Sequence, residues 1–246
     1  MIGVLTSFRT AARQAMSSCR TGCSTLVMPC SASSRILLVG PPGSGKTLTA
    51  SALAGEMHLP LFTVRLESVI TRYLGESASK LRLVFNQIAQ MRGVYLFDEF
   101  DALGGKRTSG NDVGEIRRVL NSFLQFLEEP NATDSVVVAA TNHPELLDRA
   151  LIRRFDEIIE YGLLDASGVR AMLEHRLSAM VGRKIAWSDI MPVAEGLSQA
   201  ELARVADEAM KEAILGGKKT VETADLLAAL TARRTMREAV ADIFSE

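Results

Sequence analysis

The stretch Gly40-Pro41-Pro42-Gly43-Ser44-Gly45-Lys46-Thr47 matches the pattern G-x-x-x-x-G-K-[ST] and leaves little freedom to the fold around it. It directly follows Arg35–Val39, a short apolar run that reads as a fully buried parallel strand, and it opens Thr47–Met57, which has helical spacing. Glycines let the backbone curl with its amides inward, at the N-terminus of a helix whose dipole favours anions. Lys46 then offers a point charge to the β- and γ-phosphates of a nucleotide, and the Thr47 hydroxyl offers a ligand to Mg2+. The candidate nucleotide-binding segment is Gly40, Pro41, Pro42, Gly43, Ser44, Gly45, Lys46, Thr47 and Leu48.

Runs like Arg35–Val39 recur at Leu61–Leu66, Val94–Phe97, Ser135–Ala140 and Glu157–Tyr161, with helical spacing over Ser77–Met91 and Gly114–Glu128 between them. Strands alternating with helices predict an α/β domain whose parallel sheet is covered on both faces. After Gly162 the strand signals stop. Asp165 can cap a helix over Ser167–Met180. Ser198-Gln199-Ala200-Glu201 is a capping box opening a helix through Leu215, Gly216-Gly217 stops it, and Thr223–Arg233 begins another.

Val94–Phe97 runs straight into Asp98-Glu99. An apolar strand that ends in two carboxylates places them at the sheet's carboxyl edge, where open α/β sheets bind ligands. Asp98 is placed to orient a Mg2+ shell through water. Glu99 is the candidate to polarise a water for attack on the γ-phosphate.

Composition narrows the partners and isolates the start of the chain. With 28 basic and 29 acidic residues the formal net charge is −1, so no whole-protein field holds nucleic acid or an anionic membrane. No apolar run approaches the roughly 20 residues that span a bilayer. All three cysteines (Cys19, Cys23, Cys30) fall in residues 1–34, whose only charged side chains are Arg9, Arg13 and Arg20. This segment reads as a poorly structured tail or a start-site artefact; an organelle transit segment and a zinc site are the alternatives.

Together these motifs resemble the AAA+ ATPases, and within them the AAA clade that includes protein unfoldases and remodelling ATPases. Ala140-Thr141-Asn142-His143-Pro144-Glu145 is similar to that family's sensor-1 segment, and Leu147 through Asp156 to the end of its second region of homology. Gly196 through Leu202 is similar to its lid-helix entry, with Gln199 where glycine is usual. The resemblance implies a P-loop NTPase fold: a five-stranded parallel sheet in the order 5-1-4-3-2 and a C-terminal helical lid. The domains expected are a tail at 1–34, a nucleotide-binding core at 35–162 and a lid at 163–246.

The resemblance also implies roles. Asn142 would hold the attacking water or the γ-phosphate, and Lys46, Glu99 and Asn142 would form the catalytic set with an arginine finger from a neighbouring subunit. Arg153 and Arg154 are both candidates for that finger: alignment on Leu-Asp-x-Ala-Leu favours Arg153, and alignment on Arg-Phe-Asp favours Arg154, the preferred reading. Relatives carry an adenine-contacting segment before the first strand, and residues 1–34 do not resemble it. Arg72-Tyr73-Leu74-Gly75 looks like the first pore loop of substrate-threading members, whose aromatic grips an extended polypeptide through its flat apolar face. Gly104–Gly114 would be a second, softer loop.

The expected protein is therefore a Mg2+-dependent ATPase that assembles as a homo-oligomer, a hexamer by resemblance, and threads protein substrates. No H-e-x-x-H-type protease signature follows the lid, so a separate adapter or peptidase is expected as partner. A cytoplasmic location is expected, with organelle import through residues 1–34 as the alternative. A replication-factor or DNA loader would share the ATPase core but calls for a basic patch with stacking aromatics. An ATP-binding switch with little hydrolysis would need a damaged site.

Overall fold

The structure, a computed structural model, describes residues 35–69, 76–103, 110–130, 133–180 and 185–243. The chain divides into two compact units, with the change at Tyr161–Gly162.

In the first unit, strands β1 (Arg35–Val39), β2 (Leu61–Arg65), β3 (Val94–Asp98), β4 (Val136–Thr141) and β5 (Glu157–Glu160) form one sheet. Its order is β2-β3-β4-β1-β5, with every neighbouring pair parallel, which is the order expected from the sequence read from the other edge. Helices α1 (Lys46–Met57), α2 (Leu66–Val69), α3 (Glu76–Gln90), α4 (Gly110–Glu128) and α5 (Arg149–Ile152) connect the strands. Helix α4 begins four residues before the expected Gly114, so the last part of the stretch read as a second loop is helical.

The alternation of side chains along a strand sorts the core. Leu37, Val39, Tyr95, Phe97, Val137 and Ala139 join a cluster with Phe85 of α3 and Phe123 of α4. Phe123 meets Phe97 edge-on at 5.2 Å between ring centroids and Phe100 at 4.9 Å. Central strands β1, β3 and β4 are buried along nearly their whole length, because helices cover both faces of a parallel sheet.

An ion pair fixes the amino edge of this sheet. Arg35 donates through its guanidinium to both oxygens of Asp156, at 2.7 and 3.0 Å, and through its amide at 2.9 Å. The Asp156 amide returns a bond to the Arg35 carbonyl at 2.9 Å, which sets the start of β5 beside β1. Burial alone would raise the Asp156 pKa, but the side-chain and backbone bonds from Arg35 outweigh it and hold the carboxyl below its usual range. A carboxylate with a depressed folded pKa adds stability above its unfolded value, about 3.9. That contribution is lost as pH falls through the folded value. Thermal unfolding followed from about pH 6 down to about pH 2.5 should therefore show a steeper acid loss of Tm in the native chain than in Asp156→Asn; equal slopes would contradict the account.

The second unit is helical: α6 (Ala166–Leu177), α7 (Trp187–Ala194), α8 (Gln199–Leu215) and α9 (Thr223–Ile243). Val169, Leu173 and Leu177 of α6 are buried at helical spacing, as are Leu202, Val205, Ala206, Ala209 and Ala213 of α8 and Leu226 and Leu230 of α9. Asp165 caps α6 by accepting from the Gly168 amide at 2.8 Å. The capping box of α8 is formed: Glu201 accepts from the Ser198 amide at 2.9 Å, and Ser198 accepts from the Glu201 amide at 3.3 Å. Each bond satisfies an amide that the first helical turn cannot. Among the described residues no helix is long and apolar enough to cross a membrane.

Candidate active site

Parallel pairing brings the carboxyl ends of three strands to one edge. Val39 of β1 lies opposite Thr141 of β4, and Phe97 of β3 opposite Ala139 of β4. The residues that follow, Gly40, Asp98 and Asn142, therefore emerge side by side although the sequence holds them far apart.

The glycine-rich loop runs from β1 to α1 with φ of 148° at Gly40, 74° at Gly43 and 95° at Gly45. Side chains with a Cβ rarely adopt these values, which is why the loop needs glycine here. Gly45 opens α1 in a left-handed conformation, and no side chain caps the helix. The first amides of any helix lack intrahelical partners, so those of residues 46–48 are directed at whatever sits in the loop. An anion is the natural partner. Ser44 is buried, whereas Leu48 is exposed beside the loop.

Lys46 is buried, and its ammonium donates to the carbonyls of Gly40 at 2.7 Å and Pro41 at 2.9 Å and to Asn142 Oδ1 at 2.7 Å. Burial lowers its pKa from the usual value, and the nearby carboxylates of Asp98 and Asp101 act in the opposite sense. Thr47 Oγ1 donates to Asp98 Oδ2 at 3.1 Å. A hydroxyl and a carboxylate at this separation, next to the glycine-rich loop, form an oxygen donor set suited to a hard divalent cation that retains several waters.

Glu99 is exposed, follows Asp98 directly and has φ of 55°, in the left-handed region. Its amide donates to Asp98 Oδ1 at 3.0 Å. The chain therefore breaks from the strand line at the residue expected to meet the attacking water.

A further carboxylate holds Asn142. Asp101 Oδ1 accepts from Thr141 Oγ1 at 3.0 Å and from the Asn142 amide at 3.3 Å. Asp101 lies two residues beyond the acidic pair Asp98-Glu99, and sequence reasoning gave it no role. Its bond to residues forty positions away depends on β3 and β4 being neighbours, and no local signal carries that.

Arg153 and Arg154 lie elsewhere. They precede Asp156, which is held at the amino end of β1, so they sit at the edge of the sheet opposite Lys46. The five residues of β1 separate the two edges by roughly 16 Å at about 3.3 Å per residue. Arg154 forms an ion pair with Glu128, the last residue of α4. Arg153 is exposed at the end of α5 and forms no ion pair with another described residue. Arg72, Tyr73, Leu74 and Gly75 lie outside the described residues, as do 1–34 and 104–109.

Residues 36–163 match the family model described as "ATPase family associated with various cellular activities (AAA)". Among curated proteins the chain is 38% identical to an uncharacterised AAA family ATPase, y4kL, of Sinorhizobium fredii, over 80% of this chain and 59% of the relative. It is 38% identical to the ATP-dependent zinc metalloprotease FtsH 4 of Sphaerobacter thermophilus, over 79% of this chain and 31% of that protein. It is also 38% identical to the chloroplastic FTSH 6 of Arabidopsis thaliana, over 75% of this chain and 27% of that protein. The chain thus spans less than two thirds of the length of each of these relatives.

Proposed function

The chain belongs to the AAA family of ATPases, and from that membership and the geometry at the sheet edge we propose that it binds and hydrolyses ATP to remodel protein substrates. The observation that carries the reading is the convergence of Lys46, Thr47, Asp98 and Asn142 around one glycine loop, with Glu99 beside them. The amides at the start of α1 and the Lys46 ammonium hold the β- and γ-phosphates. Thr47 and Asp98 would hold Mg2+, which would supply neutralisation of the phosphate charge. Asn142, aimed by Asp101, orients the water that Glu99 polarises for attack on the γ-phosphorus; Glu99 takes up the proton as the bond to the β-phosphate oxygen breaks.

Arg153 and Arg154 stand too far from their own phosphate loop to take part in that step, since an extended arginine reaches far less than the breadth of the sheet. Their contribution, in this reading, goes to the ATP of an adjacent copy, which makes a closed homo-oligomer the working form; a hexamer is the state the family resemblance implies. The similarity to FtsH metalloproteases supports protein as the substrate, with proteolysis supplied by a segment or partner other than residues 35–243. The near-neutral balance of charge fits a protein rather than a nucleic-acid partner.

Threading through a pore lined by Arg72, Tyr73, Leu74 and Gly75 is tested by Tyr73→Ala. The variant is expected to keep ATPase activity within about threefold while losing at least about tenfold in the unfolding rate of a tagged fluorescent protein, because an aromatic face supplies the grip. Unfolding at the native rate with intact ATPase would remove threading from the proposal and leave the ATPase standing.

A further inference from the structure

Tyr161 is the last residue of the α/β unit and has no part in the chemistry above, yet it meets the phosphate loop at both ends. Its amide donates to the Val39 carbonyl at 2.8 Å, extending the pairing of β5 with β1 by one residue. Immediately beyond, a Cβ placed on Gly40 would stand 2.4 Å from the Tyr161 carbonyl oxygen and 2.7 Å from the Tyr161 Cβ. The first residue of the loop therefore lies flat against Tyr161. At the far end of the loop the Tyr161 hydroxyl donates to Thr49 Oγ1 at 2.7 Å, and Thr49 Oγ1 donates to the Gly45 carbonyl at 3.0 Å. A threonine hydroxyl has one proton, so these two bonds have one consistent direction, from tyrosine through threonine to glycine.

This arrangement is more than a buried phenol finding a partner. Tyr161 is 6% exposed, and a hydroxyl so placed requires a hydrogen bond. The partner here stands 112 positions away in the chain, on the helix that begins the nucleotide site. The Gly45 carbonyl also accepts from the Thr49 amide at 2.9 Å, so Thr49 grips it twice. Gly40 and Gly45 bound the segment whose amides face the phosphates.

We infer that Tyr161, acting through Thr49, is a positioning residue for the phosphate loop: it holds Gly40 and Gly45 at the spacing that aims the intervening amides at the β-phosphate. The inference rests on the phosphate-binding role of residues 40–47 and is independent of oligomerisation and threading. Tyr161→Phe keeps the backbone and Cβ that meet Gly40 and deletes only the hydroxyl; Thr49→Val deletes the hydroxyl on the other side.

The test measures ADP affinity by calorimetric titration of the full chain, steady-state KM and kcat for ATP, and Tm without nucleotide. Each single variant is expected to raise the ADP Kd and the ATP KM about three- to tenfold, the effect of losing one aligning hydrogen bond, with kcat within about twofold. The double variant should be no worse than the weaker-binding single, because both delete the same link. Thr49→Ser, which restores the hydroxyl, should return the affinity to the native value. Singles that bind ADP as the native chain does would overturn the inference. So would effects that add in the double variant, or affinity that falls only in step with Tm. A native chain that fails to bind ADP would overturn the phosphate-loop reading beneath it, an outcome distinguishable from the others.

Discussion

Glu99→Gln is expected to lower kcat for ATP hydrolysis by about two to four orders of magnitude, the usual worth of a general base, with ATP affinity kept within about threefold. The amide is isosteric with the carboxylate and equally able to hold a water, but it cannot accept the proton that the water must lose. Nothing else in the cluster can substitute. Asp98 is engaged by the Thr47 hydroxyl and the Glu99 amide, and Asp101 by Thr141 and Asn142. Phosphate release under saturating ATP, set beside a direct nucleotide titration, separates the two effects. Hydrolysis at the native rate would remove Glu99 from the chemistry; a parallel loss of binding would mean that it serves the loop instead.

Arg153→Ala should cost about three to five orders of magnitude in the same assay, the range measured for arginines that complete a phosphoryl-transfer site, without loss of ATP binding. The choice of Arg153 over the preferred sequence reading, Arg154, comes from Glu128. The ion pair with Glu128 ties Arg154 to its own chain, while Arg153 is exposed one residue earlier. Because the Arg154 guanidinium is directed at Glu128 rather than at a neighbouring copy, Arg154→Ala should cost less than about tenfold in rate, and Glu128→Gln a similar amount. An exposed pair of this kind is worth only about 0–1 kcal/mol, so Tm should change little. The decisive measurement mixes two inactive chains. Lys46→Ala loses nucleotide but keeps its arginine; Arg153→Ala keeps nucleotide but lacks the arginine. Activity recovered on mixing means that the guanidinium acts on the neighbouring site, and no recovery at any ratio would contradict an intersubunit role. If Arg154→Ala proves the deeper loss, the Glu128 pair must open in the assembled state.

The parts of the fold that were legible in the sequence are those whose cause is local. Apolar runs such as Val94–Phe97 are strands because burial on both faces leaves no polar position, and the Ser198–Glu201 box opens α8 because its two bonds lie within one turn. Helix α7 was not legible. It carries Pro192 inside and has no side-chain cap at Ala186, so local rules argue against it, and burial of Ile190 and Ala194 against the other helices offsets them. The extension of α4 to Gly110 was not legible either, since its first residues, Gly, Asn and Asp, suit a turn as well as a helix start. At the site, the phosphate loop and the acidic pair could be read from spacing alone. The contacts Asp101–Asn142, Glu128–Arg154 and Thr49–Tyr161 could not, because each joins segments that meet only once the strand order is set.

The left-handed backbone at Glu99 has a consequence for how this chain can change. Holding a residue with a side chain at a φ of 55° costs on the order of 1–2 kcal/mol, a cost glycine does not bear. The substitution that relaxes the turn, Glu99→Gly, also removes the carboxylate proposed to polarise the attacking water. On the role proposed for Glu99, position 99 sets heat tolerance against turnover: glycine there would relax the backbone and leave a chain that binds nucleotide without hydrolysing it.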